Sequence, residues 1–307
     1  MWLEHPRYVA ARDRLVKDLT GPSRYRFRRL APVIFLCGGW KSARRTNLRD
    51  YLVKHKSQPH IFFAEGVWDQ IASQKELSAL EMESALADLA DMVLIVVESP
   101  GTFAELGAFS LSEDLRKKLL PIVDKRYKGS ESFIVTGPLH WIDRESAFKP
   151  TIYVALDRVL ESVNEIEDRF TRFPRPRQVK IDEIGSNLKH LLFFLCDLIG
   201  IIQPATVQMV QFYIDTICAP RPTTQRFSAE ILLGLGAAMD LLRRDEVTIR
   251  STKLAVYSTF SRESVSRPFH RKYLLDHKRA RLDYVSVLQA IPEAKAALEQ
   301  VNAKYAD

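Results

Sequence analysis

From Val33 to about Phe170 the hydrophobic positions alternate between two periods. Val33-Ile34-Phe35-Leu36 is a short apolar run stopped by Gly38-Gly39, Thr46 to Lys56 has helical composition, and Ile61-Phe62-Phe63 again reads as strand. Leu77, Leu80, Ala85, Leu86 and Leu89 fall on one face of a helix over Lys75 to Ala90. Met92 to Val97 is the strongest strand signal, an apolar run without polar alternation, as a strand buried on both faces requires. A helix from Phe103, a strand at Leu119 to Val123, another near Thr151 to Val154 and a helix over Leu156 to Phe170 complete the series. Such alternation predicts an α/β fold with a doubly wound, mostly parallel sheet.

The pattern then changes. Thr171 to Lys180 holds two prolines and four basic residues, which build neither a helix nor a central strand, and it reads as a linker. Beyond it lie helical candidates over Asn187 to Ile202, Ala205 to Cys218 and Ser228 to Arg244, then strand-like Val247-Thr248-Ile249 and Leu254-Ala255-Val256-Tyr257. Three helices followed by a small hairpin is the order of a winged helix-turn-helix. The expected division is a basic N-terminal segment (1–30), an α/β domain (31–172), a linker (173–182), a mainly α winged-helix-like domain (183–262) and a basic helical C-terminal tail (263–307). No internal repeat is present. Leu191 to Ile214 is apolar but contains Asp197, Gln203, Pro204, Gln208 and Gln211, so a buried core helix is expected rather than a membrane span.

Composition narrows the class. With 307 residues, 46% hydrophobic and 27% charged, the chain is neither collagenous nor low-complexity, and its length suits two domains. Cys37, Cys196 and Cys218 are too few and too scattered for a disulfide framework or a Cys-x-x-Cys site, which points to a reducing, cytoplasmic compartment. Met1 to Arg29 carries eight Lys/Arg and no apolar run of the secretory kind. The net charge of +7 is uneven: residues 1–170 hold 25 basic and 24 acidic side chains, residues 171–307 hold 20 and 14. A basic second domain facing a polyanion is the expectation.

In a doubly wound sheet, ligands bind beyond the carboxyl ends of the strands, where backbone N–H groups face them. Three loops fall there. Cys37-Gly38-Gly39-Trp40-Lys41-Ser42 offers a close backbone approach to a phosphate or ribose, or is a simple tight turn; it matches neither the P-loop nor the dinucleotide fingerprint. Phe63-Ala64-Glu65-Gly66 puts a carboxylate past the second strand. In the third, Glu98-Ser99-Pro100-Gly101-Thr102-Phe103-Ala104-Glu105-Leu106-Gly107, Glu98 ends the buried strand and Thr102 stands where a helix N-cap belongs. Glu105 is then either a carboxylate at the mouth of the crevice or the last member of a Thr-x-x-Glu capping box. Gly107, costly inside a helix, permits close packing or ligand approach.

Ile34-Phe35-Leu36-Cys37-Gly38-Gly39, together with Glu98 through Ser110, resembles the effector (toxin) proteins of bacterial retron antiphage systems, which pair a nucleoside 2-deoxyribosyltransferase-like domain with a C-terminal winged-helix domain. Ser132-Phe133-Ile134 and Gly137-Pro138 are also similar, so the resemblance covers most of residues 33–260; the Ser-Pro-Gly-Thr-x-x-Glu-Leu-Gly core is its specific part. It implies cleavage of the N-glycosidic bond of NAD or a related nucleotide, with NAD as substrate and no cofactor. Glu105 takes the place of the glutamate that attacks the anomeric carbon, and a carboxylate suits the oxocarbenium-like state through which such a bond breaks. Glu98 is the second catalytic candidate and, with Glu65, a candidate ribose contact. Gly38, Gly39 and Lys41 are candidate phosphate contacts, and Ser99, Gly101 and Thr102 complete the substrate site. Many deoxyribosyltransferases carry Asp where Glu98-Ser99 stands here, which leaves the sugar contacts open. The resemblance also implies partners: a retron reverse transcriptase and its multicopy single-stranded DNA, in an oligomeric complex that holds the toxin silent until phage infection triggers abortive infection.

Arg267, Arg271, Lys272, Lys278, Arg279 and Arg281, with Phe269, Tyr273 and Tyr284 interleaved, form either a solvated face or a phosphate-binding surface with aromatic stacking. The seven His show no ligand spacing, so no metal is expected. Cys37 reads as a small buried hydrophobe, and no Gly-x-Ser-x-Gly elbow exists. Two functions remain: a nucleotide N-glycosidase toxin, and a non-catalytic nucleic-acid-binding regulator whose first domain senses a nucleotide and in which Glu105 is a cap.

Overall fold

The chain divides into two compact units, Ala31–Arg175 and a second formed by Met1–Leu30 with Pro176–Asp307. The computed structural model describes residues 2–21, 27–29, 32–55, 59–63, 89–175, 178–218, 227–259, 269–271 and 276–305. Helix α1 (Pro6–Thr20) and strand β1 (Phe27–Arg29) open the chain and belong to the second unit.

Ala31–Arg175 contains strand β2 (Val33–Cys37), helix α2 (Ala43–His55), β3 (His60–Phe62), β4 (Met92–Val97), α3 (Pro100–Leu111), β5 (Leu119–Asp124), α4 (His140–Glu145), β6 (Ile152–Val154) and α5 (Val163–Phe170). The strands form one five-stranded sheet in the order β3-β2-β4-β5-β6, every neighbouring pair parallel. Residues of both parities in β2 and β4 are buried, which explains their unbroken apolar runs. On one face Ile34, Leu36, Met92, Leu94 and Val96 pack with Leu48 and Leu52 of α2 and Val163 and Ile166 of α5. Phe35, Val93 and Ile95 are equally buried on the other. Each such side chain contributes about 1.5–3 kcal/mol. Counted along this unit the strand order is 2-1-3-4-5, so connections leave in opposite directions from β2 and β4, and a crevice opens between their carboxyl ends.

The single helix expected over Leu156 to Phe170 is two pieces. A 3₁₀ run, Leu156–Ser162, precedes α5, and Arg158 breaks the helical backbone at φ −121°, ψ 41°. The expected helix Lys75 to Ala90 lies outside the described residues except for Leu89 and Ala90, both buried.

The second unit continues with β7 (Gln178–Val179), α6 (Leu188–Ile202), α7 (Val207–Ile217), α8 (Ala229–Ala238), β8 (Leu242–Ile249), β9 (Thr252–Thr259), β10 (Phe269–Arg271), α9 (His277–Gln289) and α10 (Pro292–Ala303). Asn187, Thr206 and Ser228 cap α6, α7 and α8 by accepting from the N–H of His190, Met209 and Ile231. All of α6 but Gly200 is buried, as a helix apolar all round must be; among the described residues no helix is long and apolar enough to cross a membrane. The helix expected to reach Arg244 stops at Ala238: Asp240 turns the backbone with φ 54°, and Leu242 already starts β8.

β8 and β9 pair antiparallel from Leu242↔Thr259 to Ile249↔Thr252, across a two-residue turn in which Arg250 and Ser251 both have positive φ (49° and 67°). Ala205, between α6 and α7, bridges to Tyr257 of β9. α10 lies along β8, where the Gln300 amide accepts from the Thr248 N–H (2.8 Å) and donates to the Thr248 carbonyl (2.9 Å). β1 pairs antiparallel with both β10 and β7, so the linker ends in an edge strand. α1 is anchored by Tyr8, edge-on to Tyr284 of α9 at 6.0 Å, and by Arg12, 3.8 Å over the Phe212 ring of α7. Burial raises the Tyr8 phenol to about 12.

Grouping Met1–Leu30 with Pro176–Asp307 sharpens the charge asymmetry. That unit holds 26 basic and 17 acidic residues, a net of +9, whereas Ala31–Arg175 holds 19 and 21, a net of −2.

Candidate functional site

The loops after β2 and β4 meet at the crevice. Glu98, the residue after β4, has a side chain only 5% exposed. Its Oε1 accepts from the Gly39 N–H (3.0 Å) and its Oε2 from Arg44 Nη1 (2.9 Å). Burial alone would raise this carboxyl. Hydrogen bonds from the Ser42 and Arg44 side chains and the Gly39 N–H, with the Arg44 charge, outweigh it and hold Glu98 below the usual carboxylate range. Arg44 and Arg45 sit in the first turn of α2, which carries no acidic residue, although the helix dipole favours negative charge there. Glu98 supplies it from the neighbouring loop.

Gly38 is used for packing within the chain, whereas at Gly39 a side chain would make only ordinary contact. A Cβ on Gly38 would lie 2.8 Å from Cδ of the buried Arg45, whose Nη1 reaches the Gly38 carbonyl at 3.5 Å; a Cβ on Gly39 would lie 3.4 Å from Glu98 Oε1. Arg45 and Arg49 both stack on the Phe63 ring, at 4.5 and 5.0 Å from its centroid. The Ser42 N–H closes a turn onto the Gly39 carbonyl (3.0 Å), and the Ser42 hydroxyl accepts from the Arg45 N–H (3.3 Å). Lys41 is exposed on this turn with φ 52°, its ammonium 5.8 Å from the Trp40 ring.

The helix after β4 starts three residues earlier than expected. Pro100 is its first residue and Ser99, not Thr102, is the N-cap. Ser99 Oγ accepts from the Thr102 N–H (3.4 Å), and Thr102 Oγ1 accepts from the Ser99 N–H (2.9 Å) and the Glu98 N–H (3.0 Å). Thr102 thus fills the capping-box position that a Glu or Gln often takes. Its hydroxyl is buried and spent on the turn, so it shapes the loop, whereas Gly101 is exposed and Ser99 half-buried.

Glu105 therefore lies outside the capping box, one turn past Thr102 on the same side of α3. Its residue is half-buried and its Oε2 is shielded from solvent. Apart from its chain neighbours and the backbone of its own helix, no described atom lies within 4 Å of a Cβ built on Gly107, so close packing against other described elements does not explain that glycine.

Glu65, Arg267 and Lys272 lie outside the described residues, and of Arg271 only the backbone in β10 is described. Lys278 and Arg279 are exposed in the first turn of α9. Arg281 is turned inward: its Nη1 donates to the carbonyls of Ile201 (3.0 Å) and Gln203, closing the end of α6, and burial lowers its pKa to about 10. It therefore drops out of the expected basic surface.

Sequence patterns alone missed Arg44, Arg45 and Asp124, and gave Ser42 only as the end of its loop. Basic residues in a helix's first turn are a legible signal of a nearby compensating carboxylate. Asp124 ends β5 beside β4, but its oxygens are taken by the Arg126 N–H (2.9 Å) and Nη2 (3.0 Å), and Arg126 holds its carboxyl below the usual range. Among the described residues no cluster of His, Cys, Asp and Glu could hold a metal ion.

A family model described as STM3845 retron effector protein matches residues 41–244. Two Escherichia coli proteins are similar over part of the chain. A protein of retron Ec86, named for ribosyltransferase and DNA-binding roles, is 39% identical over 135 residues, which is 41% of this chain and 42% of that protein. A retron Ec73 protein named in the same way is 37% identical over 121 residues, 37% of this chain and 38% of that protein. The chain thus spans about two fifths of the length of the curated relatives it matches.

Proposed function

The chain belongs to the STM3845 retron effector family, and from that premise we propose that it is a nucleotide N-glycosidase that cleaves NAD or a related nucleotide. The observation that carries this is the placement of Glu105. The helix start is capped by Ser99 and Thr102, which removes the capping role that competed with catalysis, and α3 leaves the sheet at its switch point. The ribosyltransferase in both relatives' names fits glycosyl chemistry.

In the proposed reaction the Glu105 carboxylate captures or stabilises the anomeric carbon as the C–N bond breaks. The bond's electron pair goes to the nicotinamide ring nitrogen and neutralises its positive charge, so the leaving group needs no proton and no histidine is required. Water then bonds to the same carbon and releases its proton; where Glu105 had captured that carbon, the ester C–O bond breaks and its electron pair returns to the carboxylate, giving ADP-ribose and nicotinamide. Glu98, engaged by Gly39 and Arg44, is a positioning residue that fixes the two loops.

For the second unit we propose a winged-helix module. Helices α6, α7 and α8 followed by the β8–β9 hairpin, with Ala205 bridged to Tyr257, support it, as does the net charge of +9. In this proposal it contacts the retron reverse transcriptase and its RNA-linked multicopy single-stranded DNA in the cytoplasm. Those partners hold the toxin silent until infection.

The test is to incubate the purified full-length protein, and its Glu105→Gln variant, with NAD and to quantify nicotinamide and ADP-ribose. Release by the parent and not by the variant is expected. No release by either, with an undiminished NAD pool in cells expressing the protein without its partners, would overturn the enzyme and favour the regulator.

A further inference from the structure

Trp40 is 68% exposed, more than the other described indoles: Trp2 is buried, and Trp141, under the Arg116 guanidinium at 5.4 Å, is 45% exposed. The loop that carries Trp40 is pinned at both ends. Gly39 is bound to Glu98 on one side, and the Ser42 N–H returns to the Gly39 carbonyl while Ser42 caps α2 on the other. Within this turn only Lys41 takes positive φ (52°), the third-position geometry of a type II turn, where glycine is the usual residue. Lys41 holds that conformation beside the exposed ring, with its ammonium over the indole, a local strain of the kind found at binding sites.

The turn stands at the β2 edge of the switch-point crevice and presents three complementary groups: the Trp40 indole, the Lys41 ammonium 5.8 Å from it, and Arg44, half-exposed beside Glu98. A flat π surface takes a base by stacking, and flanking cations take phosphate oxygens. We propose that Trp40 is a stacking platform for the purine of a nucleotide substrate and that Lys41 engages the adjoining phosphate, so that the site selects a base-plus-phosphate ligand over a bare nucleoside. This rests on the N-glycosidase reading and adds the determinant of substrate class, at the end of the molecule away from the bond that breaks.

The experiment uses equilibrium binding, so that turnover does not enter. ADP-ribose, adenosine and ribose 5-phosphate are titrated into the full-length Glu105→Gln protein and into the same protein carrying Trp40→Leu, Trp40→Phe or Lys41→Gln. ADP-ribose is expected to bind more tightly than adenosine and to quench tryptophan emission. Trp40→Leu should weaken ADP-ribose about 10-fold or more without weakening ribose 5-phosphate, because stacking is lost and the phosphate contact is not. Trp40→Phe should keep most of the affinity and lose the quench, and Lys41→Gln should narrow the gap between ADP-ribose and adenosine. Unchanged ADP-ribose affinity in a folded Trp40→Leu protein overturns the platform and leaves the N-glycosidase reading standing. Failure of Glu105→Gln to bind any of the three overturns both.

Discussion

Glu98 Oε1 and the Gly39 N–H, 3.0 Å apart, join the loops that follow two adjacent parallel strands. The bond fixes the distance between the two walls of the crevice. Removing the carboxylate would leave a backbone donor and the Arg44 guanidinium facing a cavity. Glu98→Ala is therefore expected to cost about 1–3 kcal/mol of unfolding free energy and to raise KM more than it lowers kcat, measured by urea denaturation and NAD hydrolysis.

The same carboxyl is held below its ordinary pKa when folded, so the unfolded chain binds its proton more readily. Its stabilising contribution is present in full above the usual glutamate range and is lost as pH falls through the depressed folded value. Unfolding at a series of pH values from neutral into acid should show a steeper loss for the parent than for Glu98→Gln. Parallel acid limbs for the two proteins would mean that the brace is not ionised.

Ser99 and Glu105 separate helix stability from chemistry. Ser99→Ala removes the cap and is expected to cost about 0.5–2 kcal/mol while leaving measurable turnover. Glu105→Gln should leave thermal stability nearly unchanged and reduce hydrolysis about 100-fold or more, equivalent to roughly 2.7 kcal/mol at the transition state. A Glu105→Gln protein with near-parental hydrolysis would exclude Glu105 from the reaction.

Gly38→Val places branched carbons where Arg45 Cδ lies 2.8 Å from a simple Cβ. Arg45 must leave the Phe63 ring and the Gly38 carbonyl, so the expected outcome is both weaker nucleotide binding and a loss of about 1–3 kcal/mol of stability. Thermal melts with and without ADP-ribose resolve the two effects.

In the second unit, Lys278→Ala and Arg279→Ala are expected to lower the salt dependence of binding to single-stranded DNA by about one counterion each. Arg281→Ala should leave that slope alone and lower the melting temperature, because the ends of its guanidinium close α6. A slope change for Arg281→Ala alone would reverse the assignment.

Much of the α/β unit was legible because burial on both faces writes an unbroken apolar run, and Met92–Val97 is such a run. Of the candidate site, the sequence marked the loops after β2 and β4 that the structure brings together. The N-cap was misplaced by three residues because Ser99 and Thr102 are both good capping hydroxyls, and only the backbone decides which one accepts. Asp240 ended a helix through a left-handed turn that Asp tolerates as readily as it tolerates a helix, and Arg158 broke another with neither Gly nor Pro to mark it. Arg281 sits in a basic run, and composition does not say which cation in such a run turns inward. The union of α1 with α7 and α9 depends on contacts made across most of the chain, for which no local pattern exists.

That union makes Ala31–Arg175 an insertion, entered after β1 and left just before β7, its two neighbouring strands paired at Phe27↔Val179 and Arg28↔Gln178. On the ribosome the order of completion follows. The α/β unit has its whole sequence once Arg175 emerges, whereas α1, though made first, must wait for α7 and α9 to bury Tyr8 and Leu15. At about 5–20 residues per second that delay is on the order of ten seconds. Each new molecule thus passes through an interval in which the α/β unit can fold before the unit proposed to contact the silencing partners is complete. If the chain is the toxin proposed above, silencing of nascent chains would depend on how soon a partner arrives, and not only on how tightly it binds.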